Sequence, residues 1–169
     1  QPPDGALRSA LDRAIRSGAA GHVREIGYAL MMAPTDASIR LLDSMLHLGE
    51  VGVQAAHGGL EHPDERVRLH AFDVLTRHGD LAIQGRVGQL IAGKCGALRR
   101  RALEFAATNH MTQFVPDMIR WASSPMFHKL AASERTTFFT ALQRLDPAAA
   151  QSAIEAYERL HGSSRQSGV

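Results

Sequence analysis

The sequence has a single cysteine, two lysines and few aromatic residues, and each scarcity removes a class of protein. One cysteine, Cys95, leaves no internal disulfide and no cysteine-built metal cluster. It reads as a reduced loop thiol in a cytoplasmic protein. Aromatics make up only 5% of the chain while alanine and leucine dominate, which favours packed helices over a β-sandwich. No apolar run approaches the roughly 20 residues of a membrane span. Lys94 and Lys129 are the only lysines, so the positive charge is carried by arginine, and a net charge of +2 does not by itself imply nucleic acid. At 44% hydrophobic and 21% charged residues, the composition is that of a folded chain.

What is present is helical. Apolar residues recur three and four apart, and no long alternating stretch suggests a strand. The spacing predicts helices over 6–17, 20–32, 36–48, 51–61, 64–78, 81–92, 97–109, 113–123, 133–145 and 147–161. Leu7, Leu11, Ala14 and Ile15 mark the buried stripe of the first, and Val23, Ile26, Ala29 and Leu30 that of the second. Thr35 or Asp36, Asp64, Asp80, Thr112 and Ser133 are candidate starts, and Asp146-Pro147 is the strongest. Pro34, Gly49, Gly79, Gly93 and Gly96 are candidate stops. The stretch 51–61 is weakened as a helix by Gly52, Gly58 and Gly59. Residues 1–161 read as one domain and 162–169 as a polar tail.

The helices repeat. Thirty-one positions after Val67-Arg68, Ala71, Val74 and Leu75 stand Leu98-Arg99, Ala102, Phe105 and Ala106. Gly49 precedes Gly79 by 30 residues. Phe139 and Leu142 align with Ala102 and Phe105 after a six-residue insertion around 126–132. A period of this length marks an α-solenoid, whose function usually lies in an extended surface.

The order Pro63, Asp64, Val67, Arg68, Ala71, Leu75, Gly79, Asp80 resembles the bacterial HEAT-like repeat of the phycobilisome-lyase type. The resemblance implies an all-α solenoid of about five antiparallel helix pairs. It implies that 36–48, 64–78, 97–109 and 133–145 are second helices lining a concave, partner-facing side, with the others forming a convex layer. It also implies that Arg68 and Arg99 reach the turn acid of their own or the next repeat and are structural. No residue marks the bilin site that lyase activity would need. The chain opens at Gln1 without methionine and is expected to belong to a longer bacterial regulatory or assembly protein.

Chemistry-bearing patterns are sparse. Nine histidines invite a metal, yet His70 and His78 lie eight apart on one helix. His57 and His62 lack a carboxylate at ligand spacing, and no His-Glu-x-x-His occurs. Asp73 and Glu104 hold equivalent places on successive second helices but read as solvated acids. Gly85-x-x-Gly88 falls inside a helix, where close packing explains it. No P-loop, dinucleotide fingerprint or nucleophile elbow is present. The chain is expected to be neither an enzyme nor a cofactor binder. Met31-Met32 and Met126-Phe127 are the apolar oddities. Core filling is the expectation for both pairs, and an apolar anchor for a partner is the alternative.

The expected function is a protein-interaction scaffold that holds a partner on its concave face. His70, Asp73, Arg77, Arg100, Arg101 and Glu104 are the expected polar contacts. The alternative is DNA binding through the same groove, where part of Arg66, His70, Arg77, Arg100 and Arg101 could meet phosphates. Some bacterial DNA glycosylases are built from HEAT-like repeats. Against this, Asp64, Glu65, Asp73 and Glu104 interleave the arginines. Only Trp121 offers a large stacking platform, and it falls on the convex layer.

Overall fold

The computed structural model describes Ser9 and residues 22–162. Apart from Ser9, the expected helix 6–17 lies outside the described residues, as does the tail beyond 162. Within residues 22–162 ten α-helices follow in order: α1 His22–Met32, α2 Thr35–Met45, α3 Glu50–Gly59, α4 Glu65–His78, α5 Leu81–Ala92, α6 Gly96–Thr108, α7 Val115–Ala122, α8 Pro125–His128, α9 Ala132–Leu145 and α10 Pro147–Gly162. Two short 3-10 turns, Leu46–Leu48 and Thr112–Phe114, extend α2 and precede α7. No strand occurs among the described residues. None of the described helices is long and apolar enough to cross a membrane. The chain forms two compact units, one ending at Gly85 and the other beginning at Arg86.

The helix boundaries follow local chemistry. Asp64 adopts an extended conformation before α4, and its Oδ1 accepts from the Arg66 N–H at 2.8 Å. Gly79 closes α4 in the left-handed region at φ 73°, where a side chain would be strained. Asp80 accepts from the N–H groups of Ala82 and Ile83 and so starts α5. Asp146 does the same for the Ala149 N–H at 2.9 Å, ahead of Pro147. Other expected starts shift. Thr112 opens a 3-10 turn rather than the helix, and α9 begins at Ala132 without a side-chain cap. Thr35 lies inside α2, and its hydroxyl donates to Asp64 Oδ2 at 2.5 Å.

In the first unit α1 packs on α3, α2 on α4, and α3 on both α2 and α4. Its core is Ile26, Leu30, Leu42, Met45, Ala56, Leu60, Val67, Ala71, Val74 and Leu75, all essentially buried. Two of the glycines that weakened the helix reading for 51–61 are there for contact. A Cβ on Gly52 would stand 1.8 Å from the Met45 carbonyl oxygen. On Gly59 it would stand 2.8 Å from the Ala71 Cβ.

In the second unit α6 packs on α9, α7 on α10, and α9 on α10. Leu98, Ala102, Leu103, Ala106, Met118, Phe138 and Leu142 are buried. The connection 124–132 contains a single helical turn, α8, whose N-cap Ser124 accepts from the Phe127 N–H. Phe127 is fully buried among Trp121, Phe138, Phe139 and Tyr157, with ring centroids 4.9–6.0 Å apart. Gly88 packs against Phe114, whereas Gly85 faces open space, so close packing explains only one of that pair.

Core filling holds for Phe127 and fails for its companions. Met126 is 58% exposed, Met31 38% and Met32 68%. Met31 and Met32 are the last two residues of α1, beyond the turn that Leu30 anchors. Helical geometry therefore turns them toward solvent.

Candidate interaction faces

Side-chain hydrogen bonds join helices that pack side by side but are not consecutive in the chain. In the first unit Thr35 bonds Asp64, 29 residues on. Arg66 Nη2 donates to Asp36 Oδ1 at 3.4 Å, 30 residues away. His70 Nε2 pairs with Asp43 Oδ1 at 2.8 Å, 27 residues away. In the second unit Arg99 Nη1 donates to Glu134 Oε1 at 2.6 Å across 35 residues, the longer interval reflecting the segment that carries α8.

Three of the six expected contact residues lie on α4. His70 and Arg77 both turn to Asp43 on α2, the Arg77 Nη2 at 3.9 Å, and Arg77 Nε also donates to the Asp73 carbonyl at 3.2 Å. Asp73 is half-buried beside them. The outward side of α2 and α4 therefore pairs acids with nitrogen bases: Asp36 with Arg66, then Asp43 with the half-buried His70 and with Arg77. The two acids on α2 were not among the expected contacts. The repeat itself points to them, since Asp36 precedes Arg66, and Asp43 precedes Asp73, by one period of 30.

The other three lie on α6. Arg100, Arg101 and Glu104 are exposed, and Arg101 Nη1 approaches Glu104 Oε2 at 3.7 Å within the helix. Pairs this open to water contribute at most about 1 kcal/mol each to stability. Arg100 has no partner among the described residues.

Arg99 and Arg68 behave differently from these. The Arg99 side chain is 7% exposed and donates to the carbonyls of Ile91 and Gly93 as well as to Glu134. Its guanidinium lies 5.0 Å from the Trp121 ring centroid. Arg68 Nη1 donates to the carbonyls of His62 and Pro63, the turn before its own helix. Trp121 is thus half-buried beneath Arg99 and beside Phe127 and Phe138, not an open platform for a base.

The turn acids work as connectors. The Thr35 hydroxyl, and after it the Arg66 N–H, hold the Asp64 carboxyl below its ordinary value. Asp80 receives His57 Nε2 at 2.6 Å while capping α5. His62 is buried, its Nδ1 accepts from the Asp64 N–H, and its Nε2 has no hydrogen-bond partner among the described residues. No group of three histidine, cysteine or carboxylate side chains is placed to hold a metal among the described residues. No protein-family profile, curated protein or solved structure matches the chain.

Proposed function

We propose that the chain is a HEAT-like α-solenoid that binds a protein segment through the exposed polar faces of its second helices. The observation that carries this reading is the set of side-chain bonds between helices that are not consecutive in the chain. Thr35 to Asp64, Asp36 to Arg66 and Asp43 to His70 link α2 to α4, and Arg99 to Glu134 links α6 to α9. Non-consecutive helices that pack on one another roughly one repeat length apart are the building relation of stacked repeats. The faces they leave outward, with His70, Asp73 and Arg77 on α4 and Arg100, Arg101 and Glu104 on α6, mix both signs of charge. Such a surface suits a polypeptide carrying both acids and bases better than a uniform phosphate backbone. The role is recognition, not catalysis.

The test is affinity for a partner recovered from the native lysate, measured with intact protein and with a triple Arg77→Ala, Arg100→Ala, Arg101→Ala variant. A loss of tenfold or more is expected. Unchanged affinity overturns the assignment of these faces. Titration with random duplex DNA at two salt concentrations separates the rival. A steep fall in measurable affinity with salt would mark phosphate contacts and favour nucleic acid.

A further inference from the structure

The second unit carries an open apolar groove, and α1 carries a matching stripe. The groove runs between α9 and α10, with a volume of about 570 Å³. Its apolar floor is Phe139, Ile154 and Tyr157, and Arg135 lies 5.5 Å over the Tyr157 ring. Arg144 and Glu158 stand on the rim, both exposed and both without a partner among the described residues. Its lining residues on α9 recur three and four apart from Ala132 to Arg144. That run spans roughly 18 Å at the rise of a helix and suits another helix laid along it.

On α1, Tyr28 and Met32 are each 68% exposed and Met31 38%. With Arg24 they fall at i, i+4, i+7 and i+8, a single stripe down the helix. Arg24 is exposed and, like Glu158, has no partner among the described residues. Methionine against aromatic rings is a favourable and adaptable contact, and the groove floor supplies two rings.

We propose that the α1 stripe of one copy seats in the α9/α10 groove of a second copy, with Arg24 meeting Glu158. The two patches differ, so the contact is heterologous: each copy keeps one free stripe and one free groove. Those free patches then take up further copies head to tail, or take up each other and close the assembly. This goes beyond the scaffold reading and uses none of the faces on α4 or α6.

Sedimentation of the 169-residue chain over a concentration series tests it, with all substitutions at exposed positions. The wild type should form species that grow with concentration. Met32→Asp, which blocks the stripe, and Thr140→Arg, which blocks the groove, should each be monomeric. Mixed together, these two variants should give one heterodimer and nothing larger, because one intact stripe meets one intact groove. Arg24→Glu or Glu158→Arg alone should weaken association at least fivefold, and the double exchange should restore it. A wild type that stays monomeric at high concentration overturns the proposal. So does a Thr140→Arg protein that still dimerises by itself, which would mean that like patches meet, or a mixture that stays monomeric.

Discussion

Arg99 on α6 and Glu134 on α9 meet at 2.6 Å with the arginine almost wholly out of water. The same guanidinium donates to the Ile91 and Gly93 carbonyls and covers Trp121. One side chain therefore joins the end of α5, the start of α9 and the aromatic cluster. Gly96 belongs to the same arrangement: a Cβ there would stand 2.7 Å from Glu134 Oε1. Its position in the chain suggested a helix stop, but it begins α6 and leaves room for the ion pair.

Removing Arg99 should be among the costliest single changes in the second unit. Arg99→Ala leaves two carbonyls and a carboxylate without their donor, a loss on the order of 3 kcal/mol. Arg99→Lys should recover only part of it, because an ammonium on a flexible stem cannot serve three acceptors in a planar fork. Urea midpoints of the two variants and the wild type check the order. A lysine variant as stable as wild type would show that charge alone matters at this site.

The glycines should divide into two groups under substitution by alanine. Gly27, Gly58 and Gly85 are helical with open space where a Cβ would go. There alanine should stabilise by about 0.5–1 kcal/mol through the lost flexibility of the unfolded chain. At Gly52 the added Cβ would collide with the Met45 carbonyl, which is backbone and cannot step aside without moving the turn. Gly52→Ala should therefore destabilise by about 2 kcal/mol or more. Thermal melts of the four single variants read this directly, and a stabilised Gly52→Ala protein would contradict the close approach of α3 to that turn.

The pH dependence of the α2–α4 junction follows from Asp64. Its carboxyl is held below the ordinary value, first by the Thr35 hydroxyl and then by the Arg66 N–H, so folding favours the ionised form. A lowered native value means the contribution is complete above the ordinary carboxylate range near about 4. It is lost as pH falls through the native value. Asp64→Asn keeps a capping oxygen but cannot ionise. The stability gap between wild type and this variant should be constant at neutral pH and shrink as the solution is acidified below about 4. Denaturant midpoints at several pH values measure it, and a gap that widens toward acid would reverse the sign of the argument.

Much of this framework was legible because it depends on neighbours in the chain. Asp64, Gly79, Asp80 and Asp146 each act within a few residues of themselves, and the structure uses each at the helix end where it was expected. The side-chain pairs between helices were legible only through the repeat interval, which leads from Arg66 to Asp36. Applied one helix upstream, the same interval would have added Asp36 and Asp43 to the polar face. Met31 and Met32 were misread because hydrophobicity does not state orientation. Ile26 and Leu30 set the buried stripe of α1, and two more apolar residues at its end fall outside it. Gly52 could not be read at all, since its role depends on how close the turn after α2 comes.

The segment 124–132 gives the sharpest contrast between adjacent residues. Phe127 is fully buried in contact with four aromatic rings, while Met126 beside it is 58% exposed. Truncating Phe127 to alanine removes the centre of that cluster and leaves a cavity that neighbouring rings on α7, α9 and α10 cannot all collapse to fill. The expected cost is about 3–5 kcal/mol. Met126→Ala should stay within about 0.5 kcal/mol of wild type, as exposed substitutions do. Chemical denaturation of both variants decides the matter. If the two cost the same, α8 is not held by its phenylalanine, and the longer interval between Arg99 and Glu134 would need another anchor.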